Sequence, residues 1–126
     1  MNRLNIEPIA QGNILVEVVD DGVTVAVNFI GEIDMQDPSS LFDPLFSKLH
    51  EGLVAQKIRS VTADFRALAF LNSSGIKAIA KWIMKLSILP PDQKYQIRLL
   101  HNRKISWQAT SLPTLTFLVP GAVRVE

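Results

Sequence analysis

The period of the apolar positions changes along this chain, and each change marks an element. Residues 14–19 and 23–30 are runs rich in valine and isoleucine, joined by Asp20-Asp21-Gly22, which is a strong hairpin signal. Val23, Val25, Val27 and Phe29 alternate onto one face while Ala26 and Ile30 take the other, so this second strand is expected to be central and covered on both faces. The period then becomes helical. Leu41, Phe42, Leu45, Phe46 and Leu49 give an apolar face between residues 38 and 56, entered at Asp37-Pro38 as N-cap and first helical residue. Pro44 predicts a kink or a second start, and Gly52 a weak point.

Residues 58–65 read as a strand, and a helical crossover of this length makes it parallel to the one before. Apolar residues at 76, 79, 80, 83 and 86 predict a second helix, beginning near Ser74 and ending before Pro90-Pro91. A strand over 95–100, a third helix over 105–111 carrying Trp107 and stopped by Pro113, and a short strand at 123–125 complete the pattern. Residues 1–13, with Pro8 and Gly12, have no period and read as a loose arm or an edge strand. The expected architecture is a single α/β domain over 1–126, a mixed four- to five-stranded sheet with helices largely on one face.

The loop Asn72-Ser73-Ser74-Gly75 sits where an apolar approach turns into the second helix. Ser73 or Ser74 can act as N-cap, with Asn72 favouring the preceding turn. Unpaired first-turn amides and the positive end of the helix dipole suit an anion, including a phosphate carried by the serine itself. Lys77, Lys81 and Lys85 recur every fourth residue and form one stripe, read on its own as a solvated face. Trp82 is placed at the rim of the apolar face, where exposure would make it an interface anchor.

Composition narrows the chemistry. Thirteen basic and twelve acidic residues leave a net charge of +1, too little for nucleic-acid binding by bulk electrostatics. There is no cysteine, hence no disulfide and no thiolate metal site. The first residues lack the apolar core of a signal peptide and no run approaches a membrane span, so the expectation is a cytoplasmic domain that does not insert into membranes. Ser73 lacks the Gly-x-Ser-x-Gly elbow, and His50 (read as the polar end of a helix) and His101 (read as a loop residue) belong to separate elements, which argues against a hydrolase. Asp34 and Asp64 stand at expected strand ends as caps or a carboxylate pair; no metal set and no nucleotide-binding glycine loop is visible, and no cofactor is expected.

Asn72-Ser73-Ser74-Gly75-Ile76 resembles the Asp-Ser-Ser-Gly-Leu signature of STAS domains, the family of bacterial anti-sigma-factor antagonists and sulphate-transporter tails. Gly31-Glu32-Ile33-Asp34 is similar to the Gly-Glu-Leu-Asp that ends that family's second strand, and Val61-Thr62-Ala63-Asp64 to its third strand. The resemblance spans residues 14–126 and rests on order and spacing. It implies that Ser73 is a regulatory phosphorylation site, that the unmodified chain binds an anti-sigma-like regulator which is also its serine kinase, and that a phosphatase restores it. It implies a binding surface over Asp34, Asn72, Ser73, Ser74, Gly75, Lys77 and Lys81. Two residues depart from the pattern: Asn72 stands for the usual aspartate, and Lys77 where many relatives have glycine. The other reading of the resemblance is a constitutive STAS-type subunit of a larger assembly, such as a membrane transport complex.

Overall fold

The computed structural model describes residues 3–33 and 36–126. In chain order the elements are β1 (Ile9–Gln11), β2 (Ile14–Asp20), β3 (Val25–Ile33), α1 (Ser39–Ala55), β4 (Ser60–Leu71), α2 (Ser73–Ser87), β5 (Gln96–Leu100), α3 (Ser106–Leu115) and β6 (Val123–Val125). They form one six-stranded sheet in the order β1-β2-β3-β4-β5-β6, antiparallel across β1–β3 and parallel from β3 to β6. The sheet therefore has one strand more than expected. Its first edge is β1, cut from the segment read as arm or edge strand, and Arg3 ties that segment down through a bidentate ion pair with Asp20.

Each parallel connection moves one strand along in the same direction, so right-handed crossovers bring the helices to one face, where α1 packs on α2 and α2 touches α3. The opposite face stays open. That corrects one expectation: β3 is central, yet Ala26 and Asn28 are only half-buried and Ile30 is exposed, because among the described residues no helix covers their side. α1 runs unbroken through Pro44, and α3 continues through Pro113 to Leu115 instead of stopping there. The Asp37 carboxylate accepts from the Ser39 hydroxyl, so it is not the backbone cap expected at the start of α1.

β4 departs most from the sequence reading, extending to Leu71 where the expected strand ends at Phe65. Its register against β3 slips twice, from Asn28↔Asp64 to Ile30↔Ala67 and from Gly31↔Leu68 to Glu32↔Phe70. The extra residues are β-bulges, which break the alternation so that Phe65, Leu68 and Leu71 all point into the core. β5 pairs only with residues 60–64, so the far half of β4 has an open edge. Gln108 covers it. Its buried amide donates to the carbonyls of Phe65 and Leu68 and accepts from the Asn102 N–H at 2.8 Å, while Trp107 Nε1 donates to Leu68 O at 3.0 Å.

The core between helices and sheet is aromatic. Phe29 stacks on Phe65 with centroids 4.8 Å apart, and Phe46 stacks on Trp82 at 4.9 Å. Trp82 is thus fully buried, not a rim or interface residue. Its indole Nε1–H donates to the Tyr95 hydroxyl at 2.9 Å, and the same hydroxyl is hydrogen-bonded to His50 Nδ1 at 2.7 Å. His50 lies inside α1, tied to this pair, and not at a helix end. Burial, helped by the positive charge of Lys85, lowers its pKa; burial raises that of Tyr95.

Two outcomes follow from these contacts. Gln108→Ala should lower urea-unfolding stability by roughly 2–4 kcal/mol, since it opens a cavity and leaves buried partners unpaired; a loss within experimental error would mean that the β4 edge finds other donors. Because the folded His50 resists a proton that the unfolded chain accepts near the ordinary value of about 6.5, stability should hold above that pH and fall as pH drops below it. Melting curves between pH 7.5 and 5.5 should show this fall in the wild type and lose it in His50→Gln; the same fall in both would assign it to other groups.

Candidate functional site

The site is built where β4 hands the chain to α2. Asn72 still belongs to the sheet, its N–H reaching Ile33 O at 3.3 Å, and it also opens the helix. Its extended backbone (φ −78°, ψ 172°) aims the side-chain oxygen at Gly75 N, 2.9 Å away, and its carbonyl accepts from Ile76 N. The N-cap is therefore Asn72, not Ser73 or Ser74. Those serines are the first two residues of α2 and are exposed; among the described residues neither hydroxyl has a partner, and neither backbone N–H has one.

Gly75 has a packing reason. A methyl group there would lie 2.2 Å from Leu71 Cδ1, in the corner where strand turns into helix. Gly31, in the Gly-Glu-Ile segment beside the loop, has φ +111°, and a Cβ would sit 1.9 Å from the Asn13 carbonyl oxygen. Both glycines of the sequence signature thus hold the frame of the site. The Asp34 reading lies outside the described residues; Ile33 before it is bonded to Asn72. Asp64 is no strand end. It sits within β4 on the open face, in a two-pronged pair with Arg66 that lowers its carboxylate pKa, away from the Ser73 loop.

Along α2, the buried residues are Gly75, Ala78, Ile79, Trp82, Ile83 and Leu86. At 100° per residue, Ser73, Lys77, Met84 and Ile88 fall within about 60° of one another on the outward side. The lysine stripe is only partly solvated: Lys85 Nζ donates to Ser47 Oγ at 2.8 Å and Lys81 lies 3.6 Å from Asp43, both on α1, whereas Lys77 is exposed. Sequence reasoning missed Met84 and Ile88, since neither is charged nor part of a motif. Their signal was available: both are apolar residues on the polar side of the wheel.

Among the described residues no His/Cys/Asp/Glu group could hold a metal ion, and no helix is long and apolar enough to cross a membrane. His50 and His101 bond to Tyr95 and to Glu126 O, so neither is engaged with Ser73.

If Asn72 is the cap, Asn72→Ala should cost about 1 kcal/mol of unfolding free energy, with Ser73→Ala and Ser74→Ala within about 0.5 kcal/mol of wild type. Denaturant titration of the three variants checks the assignment; a larger loss for Ser74→Ala than for Asn72→Ala would overturn it.

No family model and no curated protein matches this chain by sequence. Solved structures do match. An anti-sigma factor antagonist from Mycobacterium paratuberculosis is 22% identical, with a TM-score of 0.56 over 85% of this chain and 83% of the other. The anti-sigma factor antagonist SpoIIAA in its unphosphorylated form is 14% identical, with a TM-score of 0.55 over 88% and 87%. A chain in the complex of the diguanylate cyclase SiaD with its activator SiaC, from Pseudomonas aeruginosa, is 16% identical and gives 0.66 over 95% and 98%. The resemblance found in the sequence therefore holds at the level of architecture: this chain has the fold of the anti-sigma factor antagonists.

Proposed function

We propose that this chain is a protein-binding module of the anti-sigma factor antagonist kind, whose partner docks over the start of α2 and is released when Ser73 is phosphorylated. The observation that carries the reading is the division of labour at the loop. Asn72 supplies the cap, so the exposed Ser73 hydroxyl has no structural task that modification would disturb. A phosphate there adds about −1.5 to −2 charges at pH 7. It meets two unpaired first-turn amides, the helix dipole and Lys77 four residues on, so the folded chain accommodates it.

The same charge opposes an apolar or acidic partner, which would have to strip water from it. In this reading the surface consists of Asp34, Asn72, Ser73, Ser74, Gly75, Lys77 and Lys81, with Asn72 and Gly75 shaping it and Ser73 switching it. The partner would be a cytoplasmic regulator with serine-kinase activity, opposed by a phosphatase. The solved structures that share this fold support binding as the general kind of function, since they include anti-sigma factor antagonists and a complex of a cyclase with its activator.

Mass analysis of the native protein should find phosphate on Ser73. Pull-down from native extract should retain the partner with wild type and Ser73→Ala, and lose it by tenfold or more, about 1.4 kcal/mol, with Ser73→Asp or the phosphorylated chain. Equal retention by phosphorylated and unmodified protein would refute the switch.

A further inference from the structure

Beyond Ser73, the outward side of α2 carries a second feature. Lys77, Ala80, Lys81, Met84, Lys85 and Ile88 line a shallow open groove of about 590 Å³. Ile88 is 83% exposed and Met84 48%, on a helix whose other side is fully used by the core. The lining holds three lysines and no carboxylate, and α2 itself contains no acidic residue. Asp43 reaches Lys81 only at 3.6 Å in an exposed pair, and Lys85 spends one of its three donors on a neutral hydroxyl, so the cationic rim is not neutralised.

We infer that this groove is the main contact for the partner, and that it receives an acidic amphipathic helix lying along α2. The inference rests on the binding reading above and names the chemistry of the partner. Ala80, Met84 and Ile88 offer an apolar strip at the spacing that takes the i, i+3, i+4, i+7 residues of a second helix. Met is unbranched and adapts to what packs on it. Lys77, Lys81 and Lys85 form one ridge along one side of the strip and set the sign of the residues that flank it there: carboxylates meet them, and a basic helix is repelled. Ser73 lies at one end and Ile88 at the other, about 22 Å apart at 1.5 Å per residue. A phosphate on Ser73 therefore adds a negative charge at the end of a surface that selects negative partners, which gives release an electrostatic cause. An anionic membrane would meet the same charges, but a strip of three apolar side chains on a helix already docked by its core face gives little depth for insertion.

The probe is a synthetic 15-residue helical peptide with leucines on one face and glutamates on its flanks, titrated into the ¹⁵N-labelled chain. Its shifts should map to residues 77–88. Affinity should drop about tenfold or more in Met84→Gln/Ile88→Gln, fall likewise in Lys77→Gln/Lys81→Gln with a weaker salt dependence, and drop on phosphorylation of Ser73. A lysine-flanked version of the peptide should cause no shifts. Equal binding of both peptides, a footprint outside α2, groove-dependent co-sedimentation with vesicles containing phosphatidylglycerol, or dimerisation of the chain lost with Ile88→Gln would each overturn the inference. Peptide binding insensitive to phosphorylation would leave the groove standing and refute the switch. Partner retention sensitive to Ser73→Asp yet unchanged by Met84→Gln/Ile88→Gln would do the reverse.

Discussion

The fold depends on β4 running past the end of its neighbour. Beyond residue 64 it has β3 on one side and, among the described residues, no strand on the other, and its two bulges leave carbonyls that a regular ladder would have used. Such groups are costly when buried. A single glutamine from α3, with the indole of Trp107 beside it, satisfies them and so fixes the third helix against the second half of the strand. That half delivers the chain to Asn72, next to the end of β3, and sets where α2 begins. The position of the Ser73 loop is thus a consequence of how the edge of β4 is covered, although Gln108 is remote from it in sequence.

At the loop, packing and chemistry are assigned to different residues. Leu71, Asn72 and Gly75 are committed: one is buried, one caps, and one leaves room for the first. Ser73, Ser74 and Lys77 are exposed on the resulting surface. This separation lets charge change at Ser73 without disturbing the core, and the aromatic layer beneath keeps α2 in place through the stack of Trp82 on Phe46 and its bond to Tyr95. The outward side of the helix runs from the exposed Ser73 hydroxyl to an apolar end at Met84 and Ile88, with lysines between.

Much of the fold was legible because long amphipathic segments such as α1 and α2 bury one face whatever surrounds them. β4 was not, since bulges change the parity on which strand reading rests, and Phe65, Leu68 and Leu71 at three-residue spacing do not read as a strand. Serine and asparagine cap equally well; the choice fell to Asn72 because that residue still bonds to β3, which the sequence does not display. Trp82 was misplaced by a rotation of the wheel. The buried side takes in Ala78 and Trp82, towards α1, and leaves Ile76 and Ala80 half-covered. Gln108 gave no sign, as a buried polar residue is defined by its partners alone. The Ser73 motif is legible by its order relative to Gly31 and Asp64, and the structure supplies a physical reason for its Gly75 and for Gly31.

The central claim is that the start of α2 is already built, so that charge at Ser73 acts on the surface and not through a change of fold. Comparing amide NMR spectra of the unmodified chain and of the same chain carrying phosphoserine at position 73 tests it directly. The account predicts shifts confined to residues 72–77 and their neighbours at the end of β3, with the indole signal of the buried Trp82 and the core of α1 unmoved. Shifts spreading through α1, Trp82 and Tyr95 would contradict it.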